Sequence, residues 1–152
     1  MKAKTTIPLT GEVIGIDKFI DDQFIREIVT LSNGKRAANF SSPHIFTFED
    51  GSVLPAVSDR MAENLKIDFI EAVSANGDVE LTFSLPEVVK LEMENWKRNY
   101  ESGKVNVVFC PLPMISAIKE KHGKEWLKDS PFRAVRIEDR IKKLVNINKQ
   151  CI

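Results

Sequence analysis

A chain of 152 residues with 43% hydrophobic and 29% charged content can bury one core without disulfide or metal staples and has the make-up of an ordinary globular protein. Lys plus Arg and Asp plus Glu each number 22, so bulk attraction to nucleic acid is excluded and only a local basic face could supply it. No run approaches the roughly 18–20 apolar residues of a membrane-spanning helix, and no apolar region follows the basic start at Lys2 and Lys4. The only cysteines, Cys110 and Cys151, lie far apart, which reads as neither a disulfide framework nor a zinc motif and fits a reducing compartment. The expectation is a cytoplasmic protein with no membrane, metal or cofactor.

In chain order, Gly11 to Ile16 reads as a strand with glycine punctuation, and the acidic run Asp17 to Asp22 as a loop. Phe24 to Leu31 alternates, stops at Asn33-Gly34 and returns through Lys35 to Phe40, a hairpin whose Asn-Gly suits a type I′ turn. Ile45 to Phe48 and Ser52 to Leu54, joined by Glu49-Asp50-Gly51, form a second hairpin. Ser58 caps a short helix over 59–65. A third hairpin runs from Asp68–Val73 around Asn76-Gly77 to Val79–Phe83, with Val79, Leu81 and Phe83 on one face.

From here the pattern changes. Ser84-Leu85-Pro86-Glu87 predicts a helix start with Ser84 as cap, and the helix carries Val88, Val89, Leu91, Met93 and Trp96 to a stop near Gly103. Lys104 to Cys110 is a near-continuous apolar run, typical of a strand buried on both faces. Pro111-Leu112-Pro113 turns the chain into a helix from about Met114 to Lys121 that ends at His122-Gly123. Trp126 falls on a short helical piece, and Phe132 to Ile137 alternates as a strand. The tail from Glu138 fits a helix through Ile137, Ile141, Leu144 and Val145, or a strand through Val145 and Ile147.

The fold class expected is therefore α+β. A hairpin-rich antiparallel N-terminal half (1–83) packs on a βαβ-containing C-terminal half (84–152) within one compact domain (1–152), with right-handed crossovers wherever its strands pair in parallel. Charge divides at the same place. Residues 1–85 hold 8 Lys/Arg against 13 Asp/Glu, and residues 86–152 hold 14 against 9.

The chemistry-bearing candidates are few. Cys110 ends a strand just before a helix, where a thiol can be activated by the helix N-terminus, with His44 or His122 as base; the competing reading is a buried cysteine. His44 follows Pro43 at a strand start, and His122 sits at a helix C-terminus, where its ring suits the dipole. Asp17, Asp21 and Asp22 form an acidic run without the spacing of a calcium loop. Arg133, Arg136, Arg140, Lys142, Lys143 and Lys149 are the densest positive region, suited to an anion, a nucleic-acid backbone or an acidic partner. Trp96 and Tyr100, one helical turn apart, form either a core face or an interface anchor. The leading expectation is a non-enzymatic binding or accessory protein acting through self-association or a protein partner. The alternatives are an anion- or nucleic-acid-binding module built on the arginines, and a small enzyme with Cys110 as nucleophile.

Overall fold

The computed structural model describes residues 2–5 and 15–20 through their backbone and residues 24–152 in full. It contains both helices and strands. In chain order these are β1 (Lys2–Thr5), β2 (Gly15–Ile20), β3 (Ile25–Thr30), β4 (Arg36–Asn39), β5 (Phe46–Phe48), β6 (Val53–Leu54), α1 (Asp59–Asn64), β7 (Asp68–Val73), β8 (Val79–Ser84), α2 (Glu87–Glu101), β9 (Val107–Phe109), α3 (Leu112–His122), α4 (Lys124–Lys128), β10 (Phe132–Asp139) and β11 (Leu144–Cys151).

Among the described residues nine strands form one sheet in the order β1-β2-β3-β4-β9-β10-β11-β5-β6, and β7 and β8 pair with each other apart from it. The two halves of the sequence are thus interleaved edge to edge. Strand β4 lies parallel to β9 with Ala38 opposite Val108, and β11 lies parallel to β5 with Val145 opposite Phe48. The sheet's other parallel pair is β9 with β10, connected through α3 and α4. Among the described residues strand β8 pairs with β7 alone, so the crossover through α2 joins strands of different sheets.

Strand parity sorts the apolar residues to two sides. Val108, with Ile28, Ala38, Phe132 and Ala134, faces a core built with Met61, Leu65, Val89, Met93, Trp96, Ile115, Ile118 and Leu127 from the four helices. Val107 and Phe109 face the other way, into a second core with Val29, Leu31, Ala37, Phe48, Leu54, Val145 and Ile147. That second core is closed by curling of the sheet. Asn33 Nδ2 donates to the Ile147 carbonyl at 3.1 Å, Asn39 Nδ2 donates to the Pro55 carbonyl at 3.1 Å, and the Ser32 and Ser52 hydroxyls meet at 2.7 Å. The β5–β6 hairpin therefore lies across from the β3–β4 hairpin, giving a partly closed barrel around Phe48 and Phe109, whose ring centroids are 5.9 Å apart.

Several local expectations need correction. All three early hairpins use one turn, and it is not type I′. Leu31 N–H donates to the Lys35 carbonyl and Gly34 N–H to the Leu31 carbonyl; the same two bonds recur at Phe48/Ser52 with Gly51 and at Ser74/Asp78 with Gly77. Each is a three-residue loop in which only the final glycine takes positive φ, at 85°, 93° and 85°. Asp17 lies in β2, opposite Ile28 of β3, so the expected acidic loop begins as a strand; Asp21 and Asp22 lie outside the described residues, as do Gly11 to Ile14 of the first expected strand. Ser84 pairs with Asp68 at the end of β8, and α2 starts at Glu87 with Pro86 at its N-cap and no side-chain cap. Helix α3 begins at Leu112, two residues early, because a proline is tolerated in a first turn that needs no donor. The tail is strand β11: pairing with β10 on one side and β5 on the other outweighs the helical stripe through Ile141.

Candidate functional site

The cleft with the most chemistry on it lies where the β10–β11 ladder is irregular. Val135 pairs with Gln150 but Ile137 pairs with Val145 and Asp139 with Leu144, so the register shifts twice within five residues of β10. Such shifts bend strands and re-aim side chains. Here they open a cleft of about 1410 Å³ between β10–β11 and the segment Pro43–Phe46. Its walls carry His44, Arg136, Arg140 and Lys143 with one carboxylate, Glu138, over an apolar floor that includes Phe46, Ala56, Val135 and Val145.

Local chemistry fixes both walls. The buried Asn39 side chain accepts from Ser42 N–H at 2.9 Å and donates to the Ser42 carbonyl at 2.9 Å, and Ser42 Oγ in turn accepts from His44 N–H at 3.2 Å. This pins the turn that presents Pro43, His44 and Ile45. Opposite, Asp139 Oδ1 accepts from the N–H groups of Ile141 and Lys142 at 3.0 and 2.9 Å, an Asx-type turn that holds the Arg140–Lys143 loop. Lys143 closes that loop at φ 54°, the one non-glycine with positive φ among the described residues. A side chain held in the left-handed region is a local cost that clusters at functional sites. Arg136 Nε lies 3.8 Å from Glu138, which also accepts from Asn146 at 2.8 Å; among the described residues Arg140, Lys142 and Lys143 form no ion pair. Ile45, Ile137 and Ile141 are exposed around the cleft, Ile141 at 94%.

The structure brings together His44, Arg136, Arg140 and Lys143, and separates the other candidates from them. Lys142 sits on the loop outside the lining. Arg133 is committed elsewhere: its guanidinium donates to the carbonyls of Leu127, Ser130, Phe132 and Lys128 at 2.7–3.0 Å, tying the end of α4 to β10. Burial pulls the Arg133 pKa below its ordinary value, and nearby Tyr100 offsets part of that.

Cys110 lies buried in the helix-side core. Its thiol donates to the Val108 carbonyl at 3.7 Å, and burial pushes its pKa far above the ordinary thiol value. The neutral thiol, not the nucleophilic thiolate, is the form this environment favours. His122 stacks on Trp126 at 4.3 Å, and Lys97 Nζ lies 4.8 Å from the centroid of the Trp126 ring. Burial first, then the charges of Lys97 and Lys90, hold the His122 imidazole below its usual pKa. Trp96 is fully buried and Tyr100 partly so, both packed in the helix-side core, which leaves Trp96 no surface with which to anchor a partner. Among the described residues no three His, Cys, Asp or Glu side chains converge to hold a metal ion, and no helix is long and apolar enough to cross a membrane.

A second feature had no place among the expected sites. The β7–β8 hairpin projects from the body, rooted by Ile67 and Phe83 against the helix-side core. Beyond the root, Phe69, Ile70, Val73, Val79 and Leu81 are 53–65% exposed. The adjacent apolar pair Phe69-Ile70 was the available signal, because neighbours on a strand point to opposite faces and at least one such side chain cannot share a single buried face. Comparison with family models, with curated proteins and with solved structures finds no match to this chain.

Proposed function

We propose that this chain is a non-enzymatic binding protein that takes an acidic, apolar polypeptide segment of a protein partner into the cleft beside β10 and β11. The observation that carries the reading is the composition of the cleft: Arg136, Arg140 and Lys143 stand over an apolar floor and inside a rim of exposed isoleucines. Exposed apolar surface next to cations suits a polypeptide more than a phosphate chain, which would place Glu138 and the floor against charge they repel or fail to pair. At about 1410 Å³ the cleft also exceeds the usual 300–1,000 Å³ of small-molecule sites. The setting this reading implies is the cytoplasm, where Cys110 and Cys151 stay reduced.

The test is a fluorescence titration with labelled peptides that alternate Leu and Glu, run against the wild type and against Arg136→Glu/Arg140→Glu. Saturable binding that the double variant weakens at least about tenfold, near 1.4 kcal/mol, is the expected result. Absence of peptide binding would overturn it. The convergence of three cations favours a second reading, an anion- or nucleic-acid-binding module. Oligonucleotide binding that falls steeply and log-linearly with salt, without peptide binding, would put that reading first. A nucleophilic role for Cys110 draws no support from a buried thiol in a pKa-raising core.

A further inference from the structure

The β7–β8 hairpin is an element whose apolar surface is left unfinished. Two-stranded hairpins are marginal in water on their own, and three strands or a packed face are needed for independent stability. In β7–β8 the register runs from Asp68 opposite Ser84 to Val73 opposite Val79, so Phe69, Val73, Val79, Leu81 and Phe83 share one face with a single carboxylate, Glu71, while Ile70 and Glu80 lie on the other. Phe69 packs across the ladder on the rooting Phe83, at 5.1 Å between centroids, which stiffens the arm where it leaves the body. The more distal residues of that face meet water.

The charge of the arm is one-sided. From Ile67 to Leu85 the sequence has Asp68, Glu71, Asp78 and Glu80 and no Lys or Arg. Among the described residues none of these four carboxylates forms an ion pair. The arm is therefore acidic and apolar, and the cleft described above is cationic and apolar. Six paired residues at about 3.3 Å each give an arm about 20 Å long, a slender element that an open cleft of about 1410 Å³ can admit. No residue of the arm lines the cleft of its own chain.

We infer that the occupant of the cleft is the β7–β8 arm of a second copy of this chain. This rests on the reading of the cleft as a polypeptide site and names its partner. Leu81, Val79 and Val73 of one copy cover the Phe46 and Val135 floor of the next, while Glu71, which shares their face opposite Leu81, approaches Arg136, Arg140 and Lys143. Donor arm and acceptor cleft occupy different places on the chain, so the contact is heterologous. It propagates head to tail and ends as a closed ring if the rotation closes, or as a filament if it does not.

The deciding experiment is a complementation of two full-length variants by size-exclusion chromatography with light scattering, over about 5–500 µM, a range that brackets micromolar affinity. One variant, Val79→Lys/Leu81→Lys, spoils the arm and keeps the cleft; the other, Arg136→Glu/Arg140→Glu, spoils the cleft and keeps the arm. All four positions are exposed, so circular dichroism should report both variants folded. Wild type is expected to exceed the monomer mass in a concentration-dependent way. Each variant alone should stay monomeric, and their mixture should give a species of twice the monomer mass and no larger, because one good arm meets one good cleft. Monomeric wild type at the highest concentration overturns the inference, as does assembly of either variant alone or a mixture that stays monomeric. Hydrogen exchange on the wild type gives a readout free of mutation: amides of residues 68–83 should gain protection as concentration rises, and unchanged protection counts against the contact. A monomeric wild type that still binds acidic peptides in the cleft refutes only the self-docking, whereas failure of both experiments refutes the cleft reading as well.

Discussion

Glu92 is buried on α2 and Arg26 on β3, 66 residues away, and their pairing is an ionic tie between the sheet and the helix layer. Arg26 Nε lies 2.7 Å from each Glu92 oxygen and Nη2 lies 2.5 Å from Oε1, with the side chains only 8% and 2% exposed. At 2.7 Å and an effective dielectric of about 20 the attraction is about 6 kcal/mol. Removing two ions from water costs several kcal/mol each, so the pair contributes little net stability over an apolar pair of the same volume. Removing one member is different, because the remaining buried charge keeps its desolvation cost and loses this attraction. Glu92→Leu is expected to lower the unfolding free energy by about 3–5 kcal/mol, and Arg26→Leu/Glu92→Leu to cost clearly less than the sum of the two single changes. Urea denaturation of wild type, both single variants and the double variant closes the cycle, provided the m-values agree. A Glu92→Leu loss below about 1 kcal/mol, or a double variant whose loss equals the sum of the singles, would refute the reasoning.

Other outcomes follow from single sites. Asp50 loses some hydration on folding, which raises its pKa, but hydrogen bonds from Ser32, from Ser52 N–H at 2.9 Å and from the Ser52 side chain bring it below the ordinary carboxylate value. Its contribution is thus present above the unfolded pKa and is lost as pH falls through the folded one. Ser32→Ala should move the Asp50 carboxyl titration, followed by NMR, back toward the ordinary value. In native protein a thiol-reactive probe should label partly exposed Cys151 well before buried Cys110, and labelling of Cys110 should require denaturant; equal rates would contradict its burial. Gly34 and Gly77 both sit at φ 85° with no atom within 4 Å of where a Cβ would stand, so alanine at either meets only backbone cost, about 1–2 kcal/mol. Gly34→Ala should shift the global melt, whereas Gly77→Ala, in the projecting arm, should appear mainly as faster local amide exchange.

What the sequence made legible is what local chemistry decides. The three early hairpins announce themselves because each loop ends in a glycine that must take positive φ, and β9 because a strand buried on both faces needs an unbroken apolar run. The turn type was misjudged because Asn-Gly suits type I′ by local propensity, whereas the strand register closes one residue earlier and adds a residue to each loop. The tail was undecidable locally, since its strand state depends on β5, about a hundred residues upstream in the chain. Of the basic cluster named in the sequence, Arg136, Arg140 and Lys143 line the cleft and Arg133 does not. Residues 133 and 136 are an odd number apart on one strand and so begin on opposite faces. The register shifts that then open the cleft depend on two strands together and have no signature in either one.

The division of charge between the halves has an internal explanation, in which acidic and basic regions simply neutralise each other across the fold. The ion pairs speak against it at the two places that matter. Lys66–Glu63 and Lys128–Glu125 are exposed pairs three residues apart, and Arg136–Glu138 joins near neighbours on one strand. Such exposed pairs contribute at most about 1 kcal/mol each. Among the described residues the arm carboxylates Asp68, Glu71, Asp78 and Glu80 pair with no cation, and the cleft cations Arg140 and Lys143 pair with no carboxylate. Each of these groups stands beside exposed apolar surface. Unneutralised charge of opposite sign, at two separate apolar places on one chain, is what a contact between copies requires. Salt then supplies its own discriminator: screening at high NaCl should weaken the steering of arm to cleft, while sulfate, which strengthens apolar burial, should offset part of that loss. A purely ionic contact would weaken in both salts alike.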